Sequence, residues 1–404
     1  MNLLWGIFGV FVILSIAFLF SNKKKAIKLR TIAGGLAIQL IFAFIVLEWE
    51  AGRTALKWFT LRVQDIINYT NEGIGFLFGS LANSDEFGTI FAFHILPVII
   101  FFSALISVLY YLGIMQWFIK IIGGGLAKLL GTSKSESLSA AANIFVGQTE
   151  APLVVRPFLS KMTNSELFAV MTGGLASVAG SVLIGYSLLG VPLEYLLAAS
   201  FMAAPAGLIM AKIMMPETEK SETSDEISLE KDKDTTNVID AAAKGASDGL
   251  KLALNVGAML LAFIALIALV NGILGGIGGL FGANELTLQG ILGYVFSPIA
   301  FAIGVPWSEA VTAGSFIGQK LVLNEFVAYA AFAPQIADLS EKTVLVVSFA
   351  LCGFANLSSM AILLGGLGGL APNRRSDIAR LGLRAVAAGM LASLLSASIA
   401  GMFF

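Results

Sequence analysis

The chain has 404 residues, of which 57% are hydrophobic and 13% charged, against roughly 25% charged in an ordinary soluble domain. That balance excludes a water-soluble enzyme of two or so domains and points to one integral membrane domain. A formal net charge of −1 excludes a general attraction to nucleic acid, and a single cysteine, Cys352, with a single histidine, His94, excludes a disulfide framework or a His/Cys metal site.

Residues 3–20 run without a charge and reach Lys23, Lys24 and Lys25 only afterwards. A cleavable leader carries its positive charge before the apolar run, so this order reads as a first span with its N-terminus outside. Further apolar stretches long enough to cross about 30 Å of hydrocarbon lie at 31–48, 90–113, 164–190, 191–214, 250–278, 342–367 and 382–403, which makes eight. Four basic clusters test the sidedness: Lys23 to Arg30; Lys120, Lys128 and Lys134; Arg156 and Lys161; and Arg374, Arg375, Arg380 and Arg384. With both termini outside, all four fall on the cytoplasmic side, as the positive-inside rule requires. Arg53, Lys57 and Arg62 are exceptions, in a connection that reads as an amphipathic segment on the outer interface. His94 and Cys352 read as residues packed inside spans.

The tract 217–234 is the only strongly polar one and reads as a mobile cytoplasmic loop. Beyond it, Thr235 or Thr236 is placed to cap a long, tilted sixth helix. Two regions, 133–160 and 306–339, are too polar for plain spans and too apolar for loops. If each crossed once, the basic clusters between them would change sides, so each is expected to enter and leave on one face. Irregular backbone at membrane depth survives only when buried in protein or lining a wet cavity, which makes these tips candidate site walls.

An internal repeat supports this reading. Phe145-Val146-Gly147-Gln148 in the first hairpin recurs as Phe316-Ile317-Gly318-Gln319 in the second, an offset of about 171 residues. Gly174-Leu175-Ala176-Ser177 matches Gly353-Phe354-Ala355-Asn356 at about 179. The blocks 116–130 and 286–304, ahead of the hairpins, read as short amphipathic helices along the interface. The expected fold class is an all-α polytopic membrane protein with eight transmembrane helices plus two opposed re-entrant helical hairpins in an inverted repeat. Secondary transporters of that architecture place substrate and ion between discontinuous helices at the midplane. The chain then divides into N-terminal spans (1–113), a first repeat (114–215), the polar loop (216–235), a long scaffold helix (236–285) and a second repeat (286–404).

Gly147-Gln148-Thr149-Glu150 sets a flexible residue, an amide, a hydroxyl and a carboxylate inside an apolar region, and Leu323-Asn324-Glu325-Phe326 is its counterpart. Intramembrane carboxylates are costly and read as functional. Ser177-Val178-Ala179-Gly180-Ser181 and Asn356-Leu357-Ser358-Ser359 interrupt two spans with groups able to bond unwound backbone. The glycine-rich runs 275–279 and 365–369 lack the Lys-Ser/Thr of a phosphate loop and read as close-packing devices.

With Gly147-Gln148-Thr149-Glu150-Ala151-Pro152-Leu153, Glu309-Ala310, Lys320-Leu321-Val322-Leu323-Asn324-Glu325-Phe326-Val327-Ala328-Tyr329 and Cys352-Gly353-Phe354-Ala355-Asn356-Leu357-Ser358-Ser359, the sequence resembles the concentrative nucleoside transporter family along essentially its whole length. The resemblance implies a homotrimer in the cytoplasmic (inner) membrane, with sodium-coupled nucleoside uptake by an elevator-like motion of a transport domain. It also implies that Gln148 and Thr149 face the nucleobase with Glu150 behind them, and that Glu325, Asn356 and Ser359 hold the ribose hydroxyls with Phe354 at the border. Asn143, Val146, Ser177 and Val178 would bind the co-transported sodium ion, the valines through their carbonyls. The partners implied are nucleoside, sodium, lipid bilayer and two further copies of the chain. A proton-coupled symporter is the alternative. Neither a catalytic set nor the continuous polar stripe of a passive channel is visible.

Overall fold

The computed structural model describes residues 2–82, 90–223, 235–282 and 285–404, and every regular element among them is helical. Two apolar helices come first, α1 (Asn2–Leu19) and α2 (Leu29–Glu48), followed by the more polar α3 (Glu50–Asn68) and α4 (Thr70–Phe78). Helix α3 carries Arg53, Lys57 and Arg62, the basic residues expected in an amphipathic connection. Next are α5 (Phe91–Tyr111) and α6 (Ile114–Leu130); Gly113 and Gly131, both with positive φ, bound α6 and turn the chain at each end.

The first predicted hairpin is built from α7 (Lys134–Ala142), an irregular tip at 143–150 and a return arm, Ala151–Lys161, wound as a 3-10 helix. Such windings seldom exceed three or four residues; here Pro157, inside the element, removes an N–H donor that an α-helix would use, while Pro152 sits in the first turn, where none is needed. A broken apolar stretch follows, α8 (Asn164–Ala176) and α9 (Gly180–Leu188), then α10 (Leu193–Met214) and the 42-residue α11 (Val238–Gly279). The second half repeats the plan: α12 (Leu288–Ala302), then α13 (Trp307–Val322) bent 116° from it, then α14 (Glu325–Phe332) running into a 3-10 turn, Ala333–Asp338. A second broken stretch, α15 (Glu341–Leu351) and α16 (Ser359–Leu370), leads to α17 (Arg375–Ala400). Among the described residues, seven stretches are long and apolar enough to cross a membrane, with α8 and α9 counted as one; the expected span at 342–367 is two short helices joined by irregular chain at 352–358.

The apolar stretches fall into two classes. The most hydrophobic windows of α8–α9, α10 and α17 are 94%, 89% and 89% buried, whereas those of α1, α2, α5 and α11 are 22%, 28%, 22% and 17% buried. Helix α17 is therefore the hub, packed on α1, α8, α10, α15 and α16, and over 388–400 every residue is buried, so that half is apolar or small all round. Helices α5 and α11 pack far more on each other than on any other element. Small residues set that approach: a Cβ on Gly249 would lie 2.7 Å from Ser103 Cβ and 2.8 Å from Ile100 Cα, and one on Gly245 would lie 2.6 Å from Ser107 Cβ and 2.7 Å from Ser103 O.

Three sequence expectations change. The cap of α11 is Asn237, whose side chain accepts from the Asp240 N–H at 2.9 Å, while Thr236 donates to the Asp240 carboxylate at 2.8 Å; an asparagine caps better than a threonine. The tract expected to be a mobile loop is fastened over its first part: Thr163 donates to Glu217 at 2.7 Å, and Ser221 and Thr223 donate to Glu166 at 2.5 and 2.6 Å. Beside them Lys212 pairs with the buried Glu136 at 2.5 Å, so polar groups of α7, α8 and α10 draw the tract in. Its remainder, 224–234, lies outside the described residues. Among the glycine runs, Gly366 packs closely, its Cβ position 2.9 Å from Thr149 Cγ2, but the Cβ positions of Gly276, Gly365 and Gly369 meet nothing within 4 Å among the described residues.

The α5–α11 contact generates a paired test. Gly249→Val should cost about 1–3 kcal/mol by overpacking and lower the melting temperature of the detergent-solubilised protein. Gly276→Ala should leave it unchanged or raise it, because helix propensity favours alanine by about 1 kcal/mol.

Candidate functional site

The two broken stretches cross, and each satisfies backbone that the other leaves open. The Phe354 N–H donates to Ser177 O at 3.0 Å, the Gly180 N–H to Phe145 O at 3.0 Å and the Leu357 N–H to Leu321 O at 3.1 Å. Helix ends inside a protein leave several N–H and C=O groups without intrahelical partners, and these three bonds bind both breaks to both hairpin tips. Gly353 is required at the crossing, since a Cβ there would lie 2.7 Å from Ser393 Oγ and 2.9 Å from Ala176 O.

Local sequence fixes where the tips fall. Ser133 and Glu136 form a capping box that starts α7, and Thr163 and Glu166 form another that starts α8. Asn324 caps α14 by accepting from the Val327 N–H at 2.8 Å, which makes Glu325 the first residue of that helix. A carboxylate there meets the positive end of the helix dipole. Glu309 closes the base of the second hairpin by accepting from the Ser340 hydroxyl at 2.8 Å.

From Glu325 a polar chain runs between the two tips. Tyr186 Oη donates to Glu325 Oε1 at 3.1 Å and Asn356 Nδ2 donates to Glu325 Oε2 at 3.0 Å. The Asn356 Oδ1 accepts from the Ser359 N–H at 2.9 Å and from the Ser358 hydroxyl at 2.7 Å. Ser359 Oγ donates to Phe354 O at 2.6 Å and accepts from Gln148 Nε2 at 3.4 Å. Five residues named from sequence, Gln148, Glu325, Phe354, Asn356 and Ser359, thus form one connected group. Gln148, Glu325, Asn356 and Ser359 are buried and Phe354 is half-buried. The Gln148 Oε1 is buried without a hydrogen-bond partner among the described residues, an acceptor facing the same junction. Thr149 is half-buried against Gly366. Glu150 stands apart: it is exposed, with its carboxylate turned back on its own turn and toward the Thr149 hydroxyl.

Of the residues expected to bind the ion, Asn143 and Val146 lie in the first tip, which rests on α8 through Asn143 and Gln148, and Ser177 and Val178 lie in the break that ends α8. A Cβ on Gly174 would lie 3.7 Å from Asn143 Oδ1 and 2.9 Å from Gln148 Cβ, so the amide and the tip both press on the glycine pair Gly173 and Gly174. Asn143 Nδ2 is held by Ser139 O at 2.9 Å, while its Oδ1 is buried with no hydrogen-bond partner among the described residues. Ser177 Oγ, buried, donates its proton to Gly173 O at 3.1 Å, which leaves the oxygen able to accept. The donor set is oxygen-only and free of carboxylate, which suits a weakly held monovalent cation better than a divalent one.

Tyr186 was not singled out from sequence. It stacks on Tyr329 with ring centroids 4.3 Å apart and meets Phe326 edge-on at 4.9 Å, so the α14 face behind Glu325 is aromatic. The available signal was a phenol inside an otherwise apolar stretch, because a buried hydroxyl needs a partner. Lys320, quoted as part of a motif but given no role, is fully buried behind the same hairpin.

Comparison with known proteins follows the same division. Family models described as Na+ dependent nucleoside transporter N-terminus and C-terminus match residues 8–81 and 195–401, and one described as nucleoside recognition matches 92–193. The chain is 51% identical to nucleoside permease NupC of Helicobacter pylori, covering 99% of this chain and 97% of that one. It is 40% identical to sodium/nucleoside cotransporter 1 of Rattus norvegicus, over 98% of this chain and 63% of that one. Among solved structures, CNTnw in an inward-facing substrate-bound state is 57% identical, with a TM-score of 0.95, covering 100% of this chain and 98% of that one.

Tyr186→Phe tests the polar chain. It keeps the aromatic stack and removes one donor to a carboxylate, a bond worth about 1.5–3 kcal/mol. Uridine binding to the purified variant should weaken about ten- to a hundredfold, and unchanged affinity would remove Tyr186 from the site.

Proposed function

The chain belongs to the Na+-dependent, concentrative nucleoside transporter family, and on that premise we propose that it accumulates nucleosides by symport with sodium. The observation that carries this reading is the buried chain from Tyr186 through Glu325, Asn356 and Ser359 to Gln148, which links the two hairpin tips. A ribose diol offers two donors, and a carboxylate accepts two charge-assisted hydrogen bonds. Glu325 matches the diol, with Asn356 and Ser359 completing that end. An amide pairs with donor and acceptor on a flat base edge, which suits Gln148, with Thr149 beside it, Glu150 acting from behind and Phe354 bordering the pocket. Sodium fits the neutral oxygens of Asn143, Val146, Ser177 and Val178; bound there, it would hold the first tip against the end of α8 and complete the base wall.

The re-entrant reading of 133–160 and 306–339 is part of the same proposal, as are the division into repeats and a cytoplasmic-membrane location with both termini outside. So is an elevator-like motion in which the hairpins and broken helices move as a body past α5 and α11. Support comes from those two helices packing chiefly on each other and keeping exposed apolar faces, Leu254, Leu261 and Leu269 among them, suited to a trimer contact. A compact trimer by mass measurement in nanodiscs is the expected assembly.

Proteoliposomes decide the coupling. Uridine should accumulate when an inward sodium gradient is imposed and not when a pH gradient is imposed in sodium-free buffer; accumulation on protons alone would overturn the sodium reading. Glu325→Gln replaces a charged acceptor by a weaker one and should reduce uridine affinity roughly ten- to a hundredfold. Asn143→Ala and Ser177→Ala should raise the sodium concentration for half-maximal uptake while leaving the ranking of bases unchanged. A changed base ranking with normal sodium activation would reverse the assignment of the two sites.

A further inference from the structure

Lys320 ends the first arm of the second hairpin, in the last turn of α13, and its side chain is wholly buried. The ammonium donates to Ala350 O at 2.8 Å and to Ser393 Oγ at 3.1 Å. Ser393 in turn reaches Cys352 O at 3.1 Å. Among the described residues no carboxylate lies at ion-pair distance from Lys320; its direct contacts are both neutral oxygens, and Glu325 acts on it only through space. Burying an ammonium that way is costly, and the placement explains what offsets the cost. Ala350 and Cys352 belong to the end of α15, where the helix breaks off and its last carbonyls lose their intrahelical partners. Those carbonyls are the negative pole of the helix, where a cation is favoured.

The first repeat presents the corresponding place without a tethered charge. At the end of α8, the Gly173 carbonyl, the Ser177 hydroxyl and the unpartnered Asn143 Oδ1 converge beside the break, and among the described residues no lysine or arginine donates to them. Both broken helices therefore end on a cluster of neutral oxygens inside the protein. Only the second carries its own cation.

We propose that Lys320 is a covalently tethered counterpart of the transported ion: its ammonium holds the second break closed permanently, as sodium holds the first break only while bound. This rests on the sodium reading of the first break for its analogy, but not for the role of Lys320 itself. Lys320 acts through the segment 352–358, which carries Phe354 and Asn356, and touches no substrate; it is a positioning residue. The asymmetry assigns the two hairpins different duties. The second stays docked on α15 with Glu325 in place, and the first waits for a cation.

Chemical rescue tests the proposal. Lys320→Ala removes a group the size of propylammonium, so uridine uptake in proteoliposomes should fall about ten- to a hundredfold as two buried hydrogen bonds, to the Ala350 carbonyl and the Ser393 hydroxyl, are lost. Added propylammonium chloride should restore much of that uptake, bring the uridine KM back toward the wild-type value and raise the melting temperature of the variant. Choline chloride at equal ionic strength should do none of these, and the wild type should respond to neither salt. The melting measurement needs no nucleoside, and wild-type uptake in parallel reports on the symport reading separately. Three results would overturn the proposal: Lys320→Met with normal uptake and normal sodium activation, no response of Lys320→Ala to propylammonium in either measurement, or failure to recover Lys320→Ala from membranes even with propylammonium present throughout.

Discussion

Backbone that leaves a helix inside an apolar body must find a partner for every N–H and C=O, and here the two interrupted stretches find them in each other. The bond from the Phe354 N–H to Ser177 O joins the breaks directly, and the bonds from Gly180 to Phe145 and from Leu357 to Leu321 add one hairpin tip to each. The other features of the centre depend on that junction. Gly353 is fixed because a side chain would enter Ser393 and the α8 carbonyls, and Asn356 is fixed because its amide turns the chain back toward Ser359 while reaching Glu325. A site made this way contains polar groups from both halves of the chain at one junction, which neither half could assemble alone.

The two halves share a plan but differ in chemistry. In the first, neutral oxygens and an amide gather at the tip, and Asn143 Oδ1 and Gln148 Oε1 are left without hydrogen-bond partners among the described residues. In the second, a carboxylate and an ammonium are both built in, each already bonded: Glu325 by Tyr186 and Asn356, Lys320 by Ala350 and Ser393. Buried polar groups that are fully satisfied rigidify their surroundings, and those that are not invite a ligand. The unpartnered oxygens therefore mark the half on which an arriving cation and base edge would act.

Much of this was legible in the sequence because membrane residence leaves coarse signals. Apolar runs located most long helices to within a few residues, although α11 and α17 begin well ahead of the runs at 250–278 and 382–403; the Phe145–Gln148 motif fell on the first irregular tip, whereas its counterpart Phe316–Gln319 lies within α13, just before the second. Side-chain spacing also identified the polar residues that gather at the junction, since carboxylates and amides in apolar surroundings are conspicuous. What stayed hidden depends on partners distant in the chain. Tyr186 lies 139 residues from the carboxylate it bonds, and Lys320 lies 73 from Ser393. The polar tract after α10 looked mobile by composition, yet Glu166 on α8 holds its beginning at Ser221 and Thr223. Glycine runs misled for the opposite reason: Gly366 meets Thr149, whereas Gly365 and Gly369 beside it meet nothing within 4 Å among the described residues, because helix rotation decides which face a glycine presents.

The proposed sodium site and the proposed base wall share the first hairpin tip, so occupancy of one should change the free energy of the other. That coupling is reciprocal at equilibrium: sodium must raise nucleoside affinity by the same factor that nucleoside raises sodium affinity. Calorimetric titration of the purified protein with uridine over a series of sodium concentrations, choline keeping ionic strength constant, measures it most directly. The account predicts an apparent uridine Kd that falls as sodium rises and levels off once the cation site is full, with the reverse titration giving the same factor. A uridine Kd independent of sodium would contradict it.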